Sequence, residues 1–137
     1  MSHITKGLLT GINVRVDKKI DFAKAICQGI KKIETRNSNS LKPYVGKRVR
    51  IIRTGVKGQK AMVVGECTIG EPIVYEDEKT FLKDAYRHLV SKDSEFWIKK
   101  DGIKYGYPII EPVYYEKPYE AVGQGIVARR NQLAPSE

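Results

Sequence analysis

Two apolar runs on either side of a glycine-rich connection constrain this chain most. Residues 47–54 carry a Val-Arg-Ile-Ile-Arg core and residues 61–70 a Val-Val-Gly-Glu-Cys-Thr-Ile core, joined by Gly55-Val56-Lys57-Gly58-Gln59-Lys60. β-Branched runs bounded by such a connection predict a β-hairpin. Around it, residues 3–16 alternate loosely and read as one strand or an irregular lead-in. Asp17 can cap a helix over 18–28 with Ile20, Ala23, Ile26 and Cys27 on one face; Gly29 ends it and 30–36 follows as a short strand. Asn37-Ser38-Asn39-Ser40 and residues 43–46 are turns. Asp77 or Glu78 caps a second helix over 79–90, with Phe81, Leu82, Ala85 and Leu89 inward. Residues 91–104 form a charged loop around Phe96 and Trp97. The run 107–115 is strand-like but interrupted by Pro108 and Pro112, so it should lie at an edge or carry a bulge. Residues 121–129 are the last strand, entered through Gly123 and Gly125, and 131–137 read as a flexible tail.

These elements fit a single domain over residues 1–137 with its core at about 8–130: a curled sheet or barrel flanked by helices, of class α+β. No repeat or internal linker divides it. The apolar runs are far too short to cross a membrane, and no apolar signal core stands at the N-terminus, so a cytoplasmic protein is expected. Cys27 and Cys67 are isolated and suit small buried positions. With only His3 and His88, neither a zinc site nor a histidine-based triad is expected, and no metal or other cofactor is, a divalent metal entering only if the chain is a nuclease.

Charge is unevenly placed. Residues 1–60 hold fifteen Lys or Arg against three acids and residues 61–137 ten against thirteen, within a total of +9. A basic half beside a near-neutral half points to a polyanion, nucleic acid first, because several phosphate contacts sum to useful, salt-sensitive affinity. A merely solvated basic surface gives the same count.

Within the basic half stands Gly29-Ile30-Lys31-Lys32-Ile33-Glu34-Thr35-Arg36, a Gly-x-Lys-x-x-Glu-x-Arg string. Lysine, carboxylate and guanidinium gathered at one turn suit phosphates and base edges, and can shift the pKa of one of their own members. A salt-bridged strand edge would look the same. In a regular strand Glu34 and Arg36 share a face while Lys31 lies on the other, so Lys31 joins them only if the chain bends after Gly29.

In its order of helix, charged string, hairpin and a glycine-containing closing segment (Gly123-Gln124-Gly125-Ile126-Val127), the chain resembles the ASCH (activating signal cointegrator homology) domain of the PUA-like superfamily, over roughly residues 8–130. The resemblance implies a small PUA-like mixed β-barrel of about five or six strands flanked by two or more helices. It also implies a cleft, lined by Lys31, Glu34 and Arg36, that binds RNA or modified nucleotides. Some relatives are hydrolases. In a deacetylating branch a threonine nucleophile occupies the position of Glu34; here Thr35 is displaced by one residue, onto the opposite strand face, which argues against an acetylcytidine amidohydrolase and favours a ribonuclease if the chain is an enzyme at all. A second departure is aromatic: relatives often have tryptophan in the last strands, where this chain offers Tyr105, Tyr107, Tyr114 and Tyr115.

The leading expectation is an RNA-binding domain with RNA or another nucleic acid as partner and no membrane. Its expected contacts are Lys31, Glu34 and Arg36 in the cleft, Arg48, Arg50, Arg53, Lys57 and Lys60 as a phosphate track along the hairpin, and Tyr107 among the stacking candidates. Arg48 and Arg50 share one strand face and Arg53 takes the other. A hydrolase acting on RNA or on modified nucleosides would use Lys31 and a nearby carboxylate or tyrosine, with Glu34 as a candidate and Glu66 as a proton-transfer partner of Lys31. Glu66 alternates with Val64 and Thr68 and points either to solvent or into a cleft. The third class is a non-catalytic protein- or small-ligand-binding domain.

Overall fold

A computed structural model describes residues 3–136. The predicted hairpin is present as β3 (Arg48–Thr54) and β4 (Met62–Ile69), paired antiparallel from Arg48 opposite Thr68 to Arg53 opposite Met62, with a bulge at Ile51/Ile52. The lead-in is a true strand, β1 (Leu9–Arg15), and runs parallel to β3. The others are β2 (Ile33–Arg36), β5 (Ile73–Tyr75), β6 (Lys104–Glu120) and β7 (Ala128–Gln132). Hydrogen bonding orders them β2-β6-β4-β3-β1-β7, with β5 also on β6. The mixed sheet curls without closing: β2 and β7 end the path, and the Arg36 guanidinium on β2 donates to the Asn13 carbonyl on β1 at 2.7 Å. That open seam becomes the cleft described below.

β6 departs most from the sequence reading. It is interior, pairing with β2 and β5 through its first residues and with β4 through the rest. Its prolines are absorbed by bulges, the alternative to an edge position: the register with β4 slips between Glu66/Thr68 and again between Val63/Gly65, and Glu111, beside Pro112, takes φ 48°. β6 also packs so close to β4 that a Cβ on Gly65 would stand 2.2 Å from the Val113 carbonyl and 2.4 Å from Cys27 Sγ. Gly65→Ala should therefore lower stability by about 1–3 kcal/mol, read as a lower urea midpoint; an unchanged midpoint would mean the two strands separate freely.

The first helix, α1 (Phe22–Cys27), starts later than predicted because Asp21, not Asp17, accepts from the Lys24 amide; residues 17–20 make a turn instead. The second region splits into α2 (Glu78–Lys83), capped by Asp77 as expected, and α3 (Ala85–His88). The break falls at Asp84, whose carboxylate accepts from Tyr75 and Arg87 and so serves tertiary bonds. Leu82 faces solvent and His88 is buried in its stead. The last strand begins at Ala128, and the expected tail is partly structured: Gln132 lies in β7, buried, its amide bonded to Val122 on both backbone groups.

α1 lies on β1, β3, β4 and β6. Phe22, Ala23, Ile26 and Cys27 meet Ile12, Val14, Ile51, Val64, Cys67 and Tyr107 there, while Ile52, Val63, Val113, Tyr115 and Ala121 form a smaller second cluster. Both cysteines are buried and unpaired, and burial pushes the Cys67 thiol up to about 12.

Candidate functional site

Gly29 decides the geometry of the charged string. With φ 76° it closes α1 in a Schellman turn, its amide donating to the Ile26 carbonyl and the Ile30 amide to the Ala25 carbonyl. The chain folds back under the helix before β2 begins, which supplies the bend that Lys31 needs. Lys31 Nζ then sits 3.9 Å from Glu34 Oε1 and 4.2 Å from the centre of the Phe22 ring, and donates to the His88 carbonyl. Glu34 Oε2 accepts from Arg36 Nε at 3.0 Å. The three charges do converge, but on unequal terms. Lys31 is fully buried, and burial, opposed by the Glu34 charge, pushes its ammonium down to about 8. Burial likewise holds His88 down to about 4; its ring bonds the Phe81 carbonyl and accepts from the Val90 amide, so it is neutral scaffolding.

Above this triad opens a cavity of about 380 Å³ in the seam between β2, β1 and the segment leading into β7. Four cations line it, Arg15, Arg36, Lys104 and Arg129, against the single carboxylate of Glu34. Phe22 and Phe96 supply apolar wall, their ring centres 6.0 Å apart, and Arg15 lies over Phe96. Asn13 stands at the back, 8% exposed. Its Nδ2 donates to the Gly125 and Ile126 carbonyls at 2.8 and 3.1 Å, which fixes the amide orientation and leaves Oδ1 as a buried acceptor without a partner. Arg129 Nε is a buried donor in the same condition. Such a cavity, with the Glu34 carboxylate as acceptor and cations at its walls, suits an anionic ligand that carries N–H donors.

The remaining predicted residues lie elsewhere. Glu66 is fully buried, and its carboxylate takes the Thr5 amide (2.9 Å), the Thr5 hydroxyl (2.6 Å), Arg48 Nε (2.7 Å) and the Tyr115 hydroxyl (2.6 Å). Burial raises its pKa, but these donors outweigh it and the net shift is downward. It faces neither solvent nor Lys31, whose ion pair is with Glu34. Arg50, also fully buried, donates to the Tyr115 hydroxyl and to the carbonyls of Thr5, Gly7 and Gln132. Arg48 and Arg50 are thus structural cations on one strand face, not a phosphate track. Arg53 pairs with Asp21 at 3.3 Å and Lys60 with Glu120 at 3.4 Å, while Lys57 is exposed at the hairpin tip. Tyr107 is fully buried in the core and cannot stack on a base, and none of the four tyrosines lines the cavity. Trp97 packs edge-on against Phe81 and donates to Glu78.

The sequence reading missed Asn13, Arg15, Phe22, Phe96, Lys104 and Arg129. One signal was present: Asn13 interrupts the apolar Gly11-Ile12-Asn13-Val14 run and shares a strand face with Arg15. Among the described residues no group of three or more His, Cys, Asp or Glu side chains is placed to hold a metal ion, and no helix is long and apolar enough to cross a membrane.

No protein-family model and no curated protein matches this sequence. Among solved structures it is similar to the ASCH protein of Zymomonas mobilis (TM-score 0.62, 17% identity over 81% of this chain and 72% of that one). A tyrosine-to-phenylalanine mutant of that protein gives a TM-score of 0.63 at 18% identity, over 81% and 74%. A serine-to-alanine mutant gives 0.55 at 15%. At such identities the likeness is one of fold, and the seven-stranded mixed sheet with its short helices is the fold of the ASCH domain.

Proposed function

We propose that this chain is a cytoplasmic RNA-binding domain that seats one nucleotide of the strand in the seam between β1, β2 and β7. The observation that carries this reading is the lining of the cavity: four cations and one carboxylate around two phenylalanine rings. The phenylalanines offer an apolar slot to a base. Glu34, held by Arg36, accepts from its N–H groups, and Arg15 and Arg129 face the phosphates.

Fluorescence anisotropy with a labelled single-stranded RNA over a range of salt tests it. Affinity should fall steeply with added salt. Arg129→Ala should weaken binding several-fold and flatten the log–log slope by about 0.7, the share of one single-strand phosphate contact. Salt-insensitive association would remove the electrostatic basis of the reading, and an inert protein would leave the protein- or small-ligand-binding class.

A ribonuclease reading draws on one observation, the Lys31 amine pushed down to about 8 beside the Glu34 carboxylate. In the structure that amine is enclosed beneath the cleft by Phe22 and the His88 carbonyl, and Glu66 is committed elsewhere. Following the same RNA for cleavage, with and without a divalent cation, decides the matter: products lost in Lys31→Ala make the chain a hydrolase, and intact RNA leaves a binding domain.

A further inference from the structure

Ile126 sits at the mouth of the cleft and is 96% exposed, more than any other large apolar side chain among the described residues. Isolated exposed apolar residues are common and ordinarily call for no explanation. Here the backbone beneath the side chain is pinned. Asn13 donates from its amide nitrogen to the Val127 carbonyl at 2.9 Å and from Nδ2 to the Gly125 and Ile126 carbonyls, and Arg129 donates to the Gly123 carbonyl at 3.1 Å. Gly125 approaches Ala128 so closely that a Cβ there would stand 1.9 Å from its carbonyl oxygen. The loop is thus held at the rim by Asn13, which lines the cavity, and it carries a branched apolar side chain into solvent at a cavity that Arg15 and Arg129 also line.

We infer that Ile126 is a wedge: when one nucleotide of an RNA strand is seated in the cleft, Ile126 occupies the gap that nucleotide leaves in the stack and packs on the flanking base. Apolar side chains, isoleucine and leucine among them, are inserted between base steps of duplex DNA, and taking a base out of the stack opens such a step. The flanking phosphates would then fall to Arg15 and Arg129. The inference rests on the nucleotide-seating reading above and adds to it that the ligand is a strand rather than a free nucleotide.

The test measures the full chain and Ile126→Ala, with Ile126→Leu as the conservative variant, against a short single-stranded RNA and against each of the four nucleoside 5′-monophosphates. Since the side chain is almost wholly in solvent, both variants should unfold at the wild-type urea midpoint. Ile126→Ala should bind the RNA about tenfold more weakly, the scale of three carbons losing part of their apolar burial, and bind mononucleotides within twofold of wild type. Ile126→Leu should restore RNA binding. With 2-aminopurine scanned along the RNA, wild-type binding should brighten the bases beside the seated position, and Ile126→Ala should leave them quenched. An RNA affinity within twofold of wild type in Ile126→Ala overturns the wedge, as does an equal loss for mononucleotides and RNA, which would place Ile126 on the seated nucleotide itself. If mononucleotides bind too weakly to measure, the 2-aminopurine signal decides. Wild-type protein that binds neither ligand overturns the nucleotide-seating reading and the wedge with it, an outcome distinct from loss in the variant alone.

Discussion

Arg50→Met should lower the free energy of unfolding by about 2–4 kcal/mol, although Arg50 lies outside the cleft. Its guanidinium is fully buried and donates to three carbonyls, those of Thr5, Gly7 and Gln132, and to the Tyr115 hydroxyl. Methionine fills much of the volume but leaves three carbonyls without their donor, that of Gln132 buried and costing about 1–3 kcal/mol, those of Thr5 and Gly7 part-buried and costing less where water reaches them. The residues concerned tie the segment before β1 and the end of β7 to the sheet, so the loss should come with early proteolytic cleavage before Leu9. Glu66 gives the same network a pH signature. Its folded pKa is depressed, so the stability it contributes is fully present above its unfolded value of 4.5 and is lost as pH falls below that. Urea midpoints should therefore drop on acidification below pH 4.5 in the wild type and drop less in Glu66→Gln. An Arg50→Met protein with the wild-type midpoint would show that water reaches these carbonyls and that the network carries no stability.

That network was the part of the molecule least legible in the sequence. Arginine and glutamate alternating with Val and Ile read as the solvent face of a two-sided strand. β3 and β4 are instead covered on both faces, by α1 on one and by residues 5–7 on the other, and in between Arg48 pairs with Glu66 while Arg50 donates to carbonyls and to the Tyr115 hydroxyl. Nothing local signals that a lead-in more than forty residues away will cover that face. The hairpin itself was legible because both partners and the connection are contiguous, and so was the charged string, because one glycine in the left-handed region fixes how Lys31 turns back. The cleft was only half legible. Glu34 and Arg36 come from one tetrapeptide, but Asn13, Phe22, Phe96, Lys104 and Arg129 come from five separate segments, and which of the chain's many cations would meet at the open seam depends on the strand order. β5 escaped for a simpler reason: three residues hold no period.

Lys31→Met offers the sharpest reading of the charged string, because it separates the worth of the lysine from the worth of its proton. In the folded protein the amine has a pKa of about 8, against 10.5 for an ordinary lysine. Below pH 8 both folded and unfolded chains carry the proton, and the folded chain bears the whole penalty of a buried ammonium. Between about 8 and 10.5 the unfolded chain keeps a proton that the folded chain has released, so the Lys31 contribution to stability rises with pH, by about 3 kcal/mol over the full window. Other groups oppose it: buried thiols and tyrosines with raised pKa values, Cys27 and Tyr115 among them, lose stability as their unfolded counterparts ionise above about pH 9. The quantity to follow is thus the difference between wild type and Lys31→Met, in which those terms cancel. At pH 7 the methionine protein should be at least as stable as the wild type, since a well-packed apolar replacement of a buried charge is commonly neutral or better, and Glu34 keeps its Arg36 partner. Toward pH 10 the wild type should gain on it steadily. A difference that stays flat from pH 7 to 10 would mean that water reaches the ammonium from the cleft, and the same result would bring Lys31 within range of a seated phosphate. The two readings of the site divide at that point: a dry Lys31 is the floor on which Glu34 is positioned, and a wet one is a cation available to the ligand.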